Sequence, residues 1–412
     1  MNCRFCNTPL SDVFIDLGNA PASNSFLTED QSNKPELFLP LKIFVCPSCF
    51  LVQTADFKKP DTIFNDTYVY FSSYSKSWLQ HSQRYVEAMI ARLGINTSSQ
   101  VVEIASNDGY LLQYFHQKHI PVLGIEPTAN TAQVALNKGI PTVVDFFGVR
   151  LATELAAKGH QADLLLGNNV LAHVPDIRDF VGGMKILLKR DGVITMEFPH
   201  LMRLVESNQF DTIYHEHFSY LSLLAVRQIF ESQGLDLFDV EELPTHGGSL
   251  RIFAKHREDT SKTVSTEVTN LLRREHALGM DTLDYYRGFQ KRALQAKLEL
   301  IEFLVAQKKA GKVVAAYGAA AKGNTLLNYC GVKNDLIACV ADANPYKQNT
   351  LLPGSHIPVV DEPRLRALRP DFVIIFPWNL QEEITRQLDD FKAWGCRFVI
   401  PIPNLKIIEN TP

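Results

Sequence analysis

The alternation of apolar and polar stretches is most regular in the middle of the chain. It predicts an amphipathic helix over residues 76–93, after which short apolar runs alternate with helical segments. The runs predict strands at residues 101–105, 122–126, 141–146, 162–167 and 192–198, with two late strands at about 235–241 and 249–255. This alternation indicates a doubly wound α/β fold, in which ligands bind at the carboxyl ends of the strands.

A polar segment, roughly 264–310, follows and contains few Gly or Pro residues. Its apolar residues recur at spacings of three and four, as at Leu294, Leu298, Ile301 and Leu304. The spacing predicts one long amphipathic helix that connects two domains. Beyond it, the pattern predicts a strand, a glycine turn and a helix start at 312–323, then strands at 336–341, 371–376 and 397–400. A second, smaller Rossmann-like unit is therefore expected.

Composition narrows the class of protein. The 412 residues allow two to three domains, and the 46% hydrophobic and 21% charged content is that of an ordinary soluble protein. A net charge of −4 without a basic stripe argues against nucleic acid as a partner, and no apolar run is long enough for a membrane span. The first ten residues lack an apolar signal core, and the seven cysteines are an odd number. We therefore expect a cytoplasmic protein, monomeric or homodimeric.

Four cysteines form two CxxC pairs near the N-terminus: Cys3 with Cys6, and Cys46 with Cys49. Each CxxC can bring two thiolates to one ion, so the two pairs complete a tetrahedral zinc site. The 39 residues between the pairs must loop out. Unrelated reduced cysteines or a redox-active CxxC are the alternatives, although no βαβ pattern surrounds either pair. With four thiolates on the metal no position is open, so the zinc is expected to be structural.

The loop 105–109, which follows the first strand of the middle region, would let a ligand approach the backbone. Glu126 ends the second strand, 23 residues after Glu103, and can accept hydrogen bonds from ribose hydroxyls. This geometry suits either NAD or S-adenosylmethionine. The loop has no GxGxxG, because Ala105 and Asn107 stand where the first glycines would be and only Gly109 remains. S-adenosylmethionine has no phosphate and tolerates these substitutions, so the pattern favours a methyltransferase over a dehydrogenase.

The glycine turn of the C-terminal unit has the spacing GxxxxG, with Gly318 and Gly323 at its ends and Lys322 inside it. Helix N-termini bind phosphate, and a lysine adds a point charge, so a nucleotide diphosphate is a reasonable ligand. The alternative is that the two glycines only permit tight packing of strand against helix.

Residues 214–220 carry the densest polar chemistry of the chain: two imidazoles, a carboxylate and two phenols. Such a group offers a proton acceptor, a residue to tune its pKa and hydroxyls that can stabilise an oxyanion. A polar loop whose histidines bond backbone carbonyls is one alternative. A metal site is another, but HEH lacks the i, i+4 spacing of HExxH.

Five motifs follow one another in this chain: CxxC…CxxC, YVYFSSYS at 68–75, VEIASNDG at 102–109, YHEHFSY at 214–220 and YGAAAKG at 317–323. Their order resembles that of the three-domain sugar C-methyltransferases, which act on nucleotide-linked 4-keto deoxysugars. The resemblance covers essentially the whole chain. The family loop usually opens with Gly where this chain has Ala105.

The resemblance implies a class I methyltransferase Rossmann-like domain, flanked by a small N-terminal zinc-binding domain and a second, C-terminal Rossmann-like domain. It implies a zinc-binding domain at 1–66, an S-adenosylmethionine-binding domain at 67–258, a helical connector at 259–310 and a sugar-nucleotide domain at 311–412. The sugar nucleotide, carried by TDP or GDP, is expected between the S-adenosylmethionine-binding domain and the C-terminal domain.

The resemblance also implies site residues. His217 matches the catalytic base, with Tyr214 and Glu216 beside the reacting sugar, and Tyr70 (or, as second choice, Tyr68) reaching it. The residues expected to contact S-adenosylmethionine are Ala105, Ser106, Asn107, Gly109, Glu126, Pro127, Asp145 and Asn169. Those expected to contact the substrate are Tyr68, His215, Gly318, Lys322 and Gly323.

The chemistry agrees with these residues, because a tuned imidazole can remove a proton α to a ketone and nearby hydroxyls can stabilise the enolate. The expected reaction is methylation of sugar carbon 3, for which zinc is not needed. An NAD-dependent nucleotide-sugar oxidoreductase and a non-catalytic nucleotide-sugar binding protein are the alternatives.

Overall fold

A computed structural model of the chain describes residues 1–55 and 71–409. Its strands are β1 (Asp12–Ala20), β2 (Leu39–Val45), β3 (Val52–Thr54), β4 (Val101–Ile104), β5 (Val122–Ile125), β6 (Thr142–Val143), β7 (Ala162–Asn168), β8 (Leu188–Pro199), β9 (Ser219–Tyr220), β10 (Leu235–Leu243), β11 (Ser249–His256), β12 (Val314–Tyr317), β13 (Val340–Ala341), β14 (Val359–Val360), β15 (Phe372–Ile375), β16 (Arg397–Ile400) and β17 (Lys406–Ile408).

Its α-helices are α1 (Lys76–Leu93), α2 (Leu112–His116), α3 (Ala129–Asn137), α4 (Val149–Ala157), α5 (Ile177–Leu187), α6 (Leu201–Glu206), α7 (Leu223–Ser232), α8 (Thr266–Ala277), α9 (Leu283–Tyr286), α10 (Phe289–Lys309), α11 (Ala321–Cys330), α12 (Glu362–Leu368) and α13 (Gln381–Gln387). None of these helices is long and apolar enough to cross a bilayer.

The chain forms two compact units, each assembled from three segments. Unit 1 comprises Met1–Asp12, Val45–Leu201 and Phe218–Tyr285. Unit 2 comprises Val13–Phe44, Met202–His217 and Tyr286–Pro412.

Unit 1 is built on a seven-stranded sheet with the order β10-β11-β8-β7-β4-β5-β6. The strands β4 to β8 are parallel, and the hairpin of β10 and β11 joins β8 antiparallel. The predicted doubly wound fold and its late hairpin are thus confirmed. β4 and β7 are buried along nearly their whole length, as expected for parallel strands covered on both faces. Their neighbouring carboxyl ends define the edge on which ligands of such folds bind.

Helix α1 packs its buried face, Tyr85, Val86 and Met89, into the core of unit 1. It begins at its predicted residue because the Ser75 hydroxyl accepts from the Trp78 N–H, and it ends there because Gly94 adopts a left-handed conformation (φ 66°).

Unit 2 contains the second Rossmann-like sheet, with the order β14-β13-β12-β15-β16-β17. All its strands are parallel except β17, which runs antiparallel to β16. Two predicted strands are much shorter than expected. The run 336–341 contributes only β13, because a turn closed by the bond from Leu336 N to Lys333 O occupies its start. The run 141–146 contributes only β6.

The prediction of one long helix over 264–310 is wrong. The segment forms α8, the short α9 and α10, with breaks at Gly279 and Gly288, which adopt positive φ values of 81° and 90°. The predicted apolar face of the last helix is only partly right, since Leu304 is buried but Leu294 and Leu298 are 44% and 52% exposed. The buried positions of α10 include two small residues, Ala293 and Ala296, which a pattern of large apolar side chains misses. The full buried set is Phe289, Ala293, Ala296, Leu300, Phe303 and Leu304.

Candidate active site

The loop after β4 turns sharply through three residues in the left-handed region. Ala105, Asn107 and Gly109 have φ values of 56°, 50° and 74°. At Gly109 a Cβ would lie 2.5 Å from Ile140 Cδ1, so this position needs glycine. Asn tolerates the left-handed conformation well, whereas Ala105 adopts it at a cost of about 1–2 kcal/mol.

Glu126 lies directly after β5, and its carboxylate accepts three hydrogen bonds. The N–H groups of Asn107 and Thr128 each donate at 2.9 Å, and the Thr128 hydroxyl donates as well. Burial raises the pKa of Glu126, and these donors oppose the shift. A carboxylate offers about four acceptor sites, so about one remains for a ligand hydroxyl.

Four buried polar atoms at the carboxyl ends of β4 and β7 have no hydrogen-bond partner within the described part of the chain. They are Ser106 Oγ, Asp108 Oδ1, Asn168 Nδ2 and Asn169 Oδ1. Buried polar groups are rarely left unpaired, so this edge fits a polar ligand with both donors and acceptors. Glu126 follows β5, the strand that pairs with β4, and the loop after β4 lacks the glycine pattern that binds a pyrophosphate. The residues therefore fit S-adenosylmethionine.

The segment 71–74 bonds directly to this loop. The Ser72 N–H donates to Asn107 Oδ1 at 2.9 Å, and the Ser73 hydroxyl donates to the Asp108 carboxylate. Tyr68 and Tyr70, the predicted substrate-contacting residues, lie outside the described residues. Of the other predicted cofactor residues, Pro127 follows Glu126, and Asp145 forms an ion pair of 2.6 Å with Arg150.

Sequence reasoning missed a charged network in the second half of β8. The buried Glu197 carboxylate accepts from His81 Nε2 at 2.9 Å, from Arg251 at 2.8 Å and from the Thr245 hydroxyl at 2.9 Å. Burial acts to raise the pKa of Glu197, but His81 and Arg251 outweigh it, so the net shift is downward. The sequence contains one sign of this network, an acid within the mostly apolar second half of β8. The residues that bond this acid lie far from it in sequence.

In unit 2, His217 is held by the backbone of the short helical turn Phe210–Thr212. Its Nδ1 lies 3.1 Å from the Thr212 carbonyl oxygen. A carbonyl can only accept, so Nδ1 carries a hydrogen, and whenever the ring is neutral Nε2 is the nitrogen that can accept a proton. The Tyr214 ring lies against this imidazole, with centroids 4.0 Å apart. His217 is 8% exposed, so its imidazole is shielded from solvent as well as oriented by the Thr212 carbonyl.

The two residues between Tyr214 and His217 form hydrogen bonds with the segment Val13–Phe44 of the same unit. Glu216 accepts from Asn24 Nδ2 at 2.8 Å. His215 Nε2 donates to the backbone carbonyls of Leu39 and Pro40, both at 3.2 Å. The bond of His215 is a fold contact of the kind that the polar-loop interpretation described. Its expected contact with substrate stays a prediction.

A buried charged group beside this turn was also missed. Asp211 Oδ2 accepts from Trp378 Nε1 at 2.7 Å, and Asp211 Oδ1 has no hydrogen-bond partner among the described residues. Lys322 Nζ donates to Asn379 at 2.8 Å and lies 4.2 Å from the centre of the Trp378 ring. Burial lowers the pKa of Lys322 to about 8 and raises that of Asp211 to about 6, and their mutual attraction opposes both shifts.

The glycine turn before α11 is closely packed. A Cβ on Gly318 would lie 2.4 Å from Pro377, and one on Gly323 would lie 2.7 Å from Phe376. The Ala319 N–H of the turn donates to Asp342 Oδ2 at 2.8 Å. Both glycines therefore serve the packing of strand against helix. Their contact with a nucleotide stays a prediction.

The four predicted zinc ligands come together in unit 1. The Sγ atoms of Cys3, Cys6, Cys46 and Cys49 lie within 4.8 Å of one another, with Cys6 and Cys46 separated by 3.4 Å and Cys3 and Cys49 by 3.6 Å. Tetrahedral thiolates with Zn–S bonds of about 2.3 Å lie roughly 3.8 Å apart. None of the four forms a disulfide. The hydrogen bond between Cys3 and Cys49 lowers the pKa of Cys3 and raises that of Cys49. The donor set fits zinc.

Comparison with known families and proteins agrees with this arrangement. Residues 3–64 match a zinc binding domain of methyltransferases, residues 78–240 match a methyltransferase domain, and residues 244–403 match the C-methyltransferase C-terminal domain. The C-methyltransferase NovU of Streptomyces niveus is 34% identical over 407 residues, which span 99% of this chain and 96% of that protein.

Solved structures align with a smaller part of the chain. The methyltransferase in the Trm112 activator complex of Haloferax volcanii is 14% identical, with a TM-score of 0.36, and the match covers 44% of this chain and 92% of that one. An S-adenosylmethionine-dependent methyltransferase from Clostridium acetobutylicum is 11% identical, with a TM-score of 0.36, and the match covers 43% and 92%.

The full-length relative and the three domain matches agree with the cysteine cluster and with the cofactor edge of unit 1. The chain is an S-adenosylmethionine-dependent C-methyltransferase with a zinc-binding N-terminal domain, and it belongs to the family of sugar C-methyltransferases.

Proposed function

We propose that the protein methylates carbon 3 of a nucleotide-linked 4-keto-6-deoxy sugar, with His217 as the base. The observation that carries this proposal is the bond between His217 Nδ1 and the Thr212 carbonyl oxygen, which orients a buried imidazole. A carbon atom must become nucleophilic before it can accept a methyl group, and a proton next to a ketone is acidic enough for imidazole to remove. A 4-keto sugar offers such a proton at carbon 3.

The residues around His217 support the following steps. His217 Nε2 takes the proton from carbon 3, and the electron pair moves to the oxygen of the ketone at carbon 4. The Tyr214 hydroxyl, with Tyr70 or Tyr68, donates hydrogen bonds to this oxygen and stabilises the enolate. Glu216, which is held by Asn24, orients the sugar and keeps the imidazole basic. S-adenosylmethionine supplies the methyl group as an electrophilic carbon, which the enolate carbon accepts.

We assign cofactor binding to the edge formed by β4, β5 and β7. Glu126 accepts a ribose hydroxyl, because about one acceptor site of its carboxylate remains open. The backbone around Asn107 and the unpaired polar atoms beside it bind the rest of the ligand. The remaining residues assigned to this site are Ala105, Ser106, Gly109, Pro127, Asp145 and Asn169.

We assign the nucleotide diphosphate, of TDP or GDP, to the turn 318–323. Lys322 provides the positive charge, and the first turn of α11 provides N–H groups. His215 and Tyr68 complete the proposed substrate contacts. In this assignment residues 1–66 bind zinc, residues 67–258 bind S-adenosylmethionine and residues 311–412 bind the nucleotide. Residues 259–310 connect the last two of these domains.

Incubation with a panel of TDP- and GDP-linked 4-keto-6-deoxy sugars and methyl-labelled S-adenosylmethionine tests the proposal. The expected product carries one labelled methyl group on carbon 3, located by NMR. A labelled methyl on oxygen, or no transfer to any sugar of the panel, contradicts it.

A further inference from the structure

Arg4 lies between the first two zinc ligands, and its guanidinium bridges two other segments of unit 1. One terminal nitrogen donates to the Pro175 carbonyl oxygen and the other to the Thr54 carbonyl oxygen, both at 2.8 Å. The guanidinium also lies over the Phe218 ring, 5.3 Å from its centre. A planar fork of donors suits two carbonyls at once, whereas a single ammonium does not.

Gln53 links this arginine to the thiolate cluster. Its Oε1 accepts from the Arg4 backbone N–H at 2.9 Å, and its Nε2 donates to Cys3 Sγ at 3.1 Å. Gln53 is fully buried. A bond of this kind orients a metal ligand, so the zinc site, Gln53 and Arg4 form one connected group.

The two segments that Arg4 bridges also bond to Phe218, the first residue after His217. The Phe218 N–H donates to the Ala172 carbonyl oxygen at 2.8 Å, and its carbonyl oxygen accepts from the Thr54 N–H at 3.1 Å. The next two residues form β9, which pairs antiparallel with β3. Phe218 is 1% exposed. Arg4 thus contacts the ring of Phe218 and also bonds the carbonyl of Thr54, the residue whose N–H donates to Phe218.

We propose that Arg4 is a positioning residue for the reaction. Through Thr54 and Phe218 it fixes the chain immediately after His217, and through Pro175 it fixes the loop that contains Ala172. The zinc site would then serve catalysis indirectly, by holding Arg4 in place. This inference rests on the proposed role of His217 as base.

The test compares Arg4→Ala and Arg4→Lys with wild type, and with Arg273→Ala as a matched control. Arg273 is an exposed arginine of α8, hydrogen-bonded to Asn270. Zinc content and S-adenosylmethionine affinity are measured first. Backbone amide hydrogen exchange of the peptides containing Thr54 and Phe218 is then followed without substrate, and kcat and KM for methylation are determined.

We expect Arg4→Ala to retain zinc and to exchange both amides roughly tenfold faster or more, because two charge-assisted hydrogen bonds are lost. Its kcat should fall while its KM for the sugar nucleotide stays near the wild-type value. Arg4→Lys should lie between Arg4→Ala and wild type, and Arg273→Ala should match wild type. If Arg4→Ala loses zinc, Arg4→Lys is judged by the same criteria.

Unchanged amide exchange in both Arg4 variants, or faster exchange with an unchanged kcat, would overturn the positioning role. A wild-type protein that methylates no keto sugar would instead refute the proposed function itself. The exchange measurement contains no substrate, so it reports on the contacts of Arg4 in either case.

Discussion

The Nδ1 atom of His217 donates to the carbonyl oxygen of Thr212, five residues earlier in the chain, over 3.1 Å. The bond closes a small loop that also contains Tyr214, whose ring lies against the imidazole. It fixes both the tautomer and the orientation of the ring, because the acceptor is backbone and cannot rotate away. A base that takes a proton from carbon must be oriented towards that proton, and a basic pKa alone does not provide the orientation.

Replacing Glu126 should weaken cofactor binding. Glu126→Gln keeps the size of the side chain but removes its charge, and hydrogen bonds to charged groups contribute roughly 1.5–3 kcal/mol each. Calorimetry should show a dissociation constant for S-adenosylmethionine about one to two orders of magnitude higher. Glu126→Ala should lose stability as well, because the N–H groups of Asn107 and Thr128 lose their acceptor. Wild-type affinity in Glu126→Gln would place the cofactor elsewhere.

Ala105→Gly should stabilise the protein. Ala105 has a φ of 56°, which costs about 1–2 kcal/mol for a residue with a Cβ. Relief of this strain outweighs the stabilisation of the unfolded chain by the greater conformational entropy of glycine. We expect a net increase of about 0.5–1 kcal/mol in the free energy of unfolding, measured in urea. The matched control is Ala88→Gly, at an exposed helical position, which should destabilise by about 1 kcal/mol. The same sign for both variants would contradict the strained turn.

Cys6→Ser should remove zinc and lower stability. Freshly purified wild type should contain about one zinc per chain. The variant should lose about 3 kcal/mol or more of unfolding free energy, because metal binding contributes to folding of this small region. Cys330→Ser is a matched control, since Cys330 is a buried thiol outside the cluster. It should keep its zinc. A zinc content well under one in the wild type would refute the site.

Lys322 should make nucleotide binding depend on pH. Burial lowers its pKa to about 8, so the side chain loses its charge as the pH rises through this value. The dissociation constant of thymidine or guanosine diphosphate should increase by up to roughly tenfold between about pH 7 and pH 9. Lys322→Arg stays protonated throughout and should show no such increase. If wild type and Lys322→Arg share one profile, the diphosphate is held by other residues.

The sequence predicted those parts of the fold that depend on neighbouring residues. Helix α1 has its predicted bounds because Ser75 is a local start signal and Gly94 a local stop signal. The alternation of strands and helices in the middle region and the clustering of four cysteines were predicted for the same reason, since both follow from spacing along the chain. Leu294 and Leu298 misled the assignment of the buried face of α10 because alanines, which also pack inward, contribute little to an apolar pattern.

Pairs that meet only after folding could not be predicted. Asp211 and Trp378 are 167 residues apart in sequence, and Arg4 and Pro175 are 171 apart. Nothing in the spacing of either pair indicates contact, because no local period connects them. The HxH motif illustrates the difference: the two histidines look equivalent in sequence, yet one bonds the backbone of β2 and the other bonds its own turn.

The central claim is that His217 removes the proton from carbon 3, and hydrogen exchange at that carbon tests it most directly. A nucleotide-linked 4-keto sugar is incubated with the protein in heavy water, without methyl transfer, and deuterium at carbon 3 is followed by NMR. Wild type should incorporate deuterium. His217→Asn should keep its affinity for both ligands but lose exchange and methylation, by roughly 10²–10⁴-fold. Tyr214→Phe and Glu216→Gln should lose less. Exchange at the wild-type rate in His217→Asn would contradict the account.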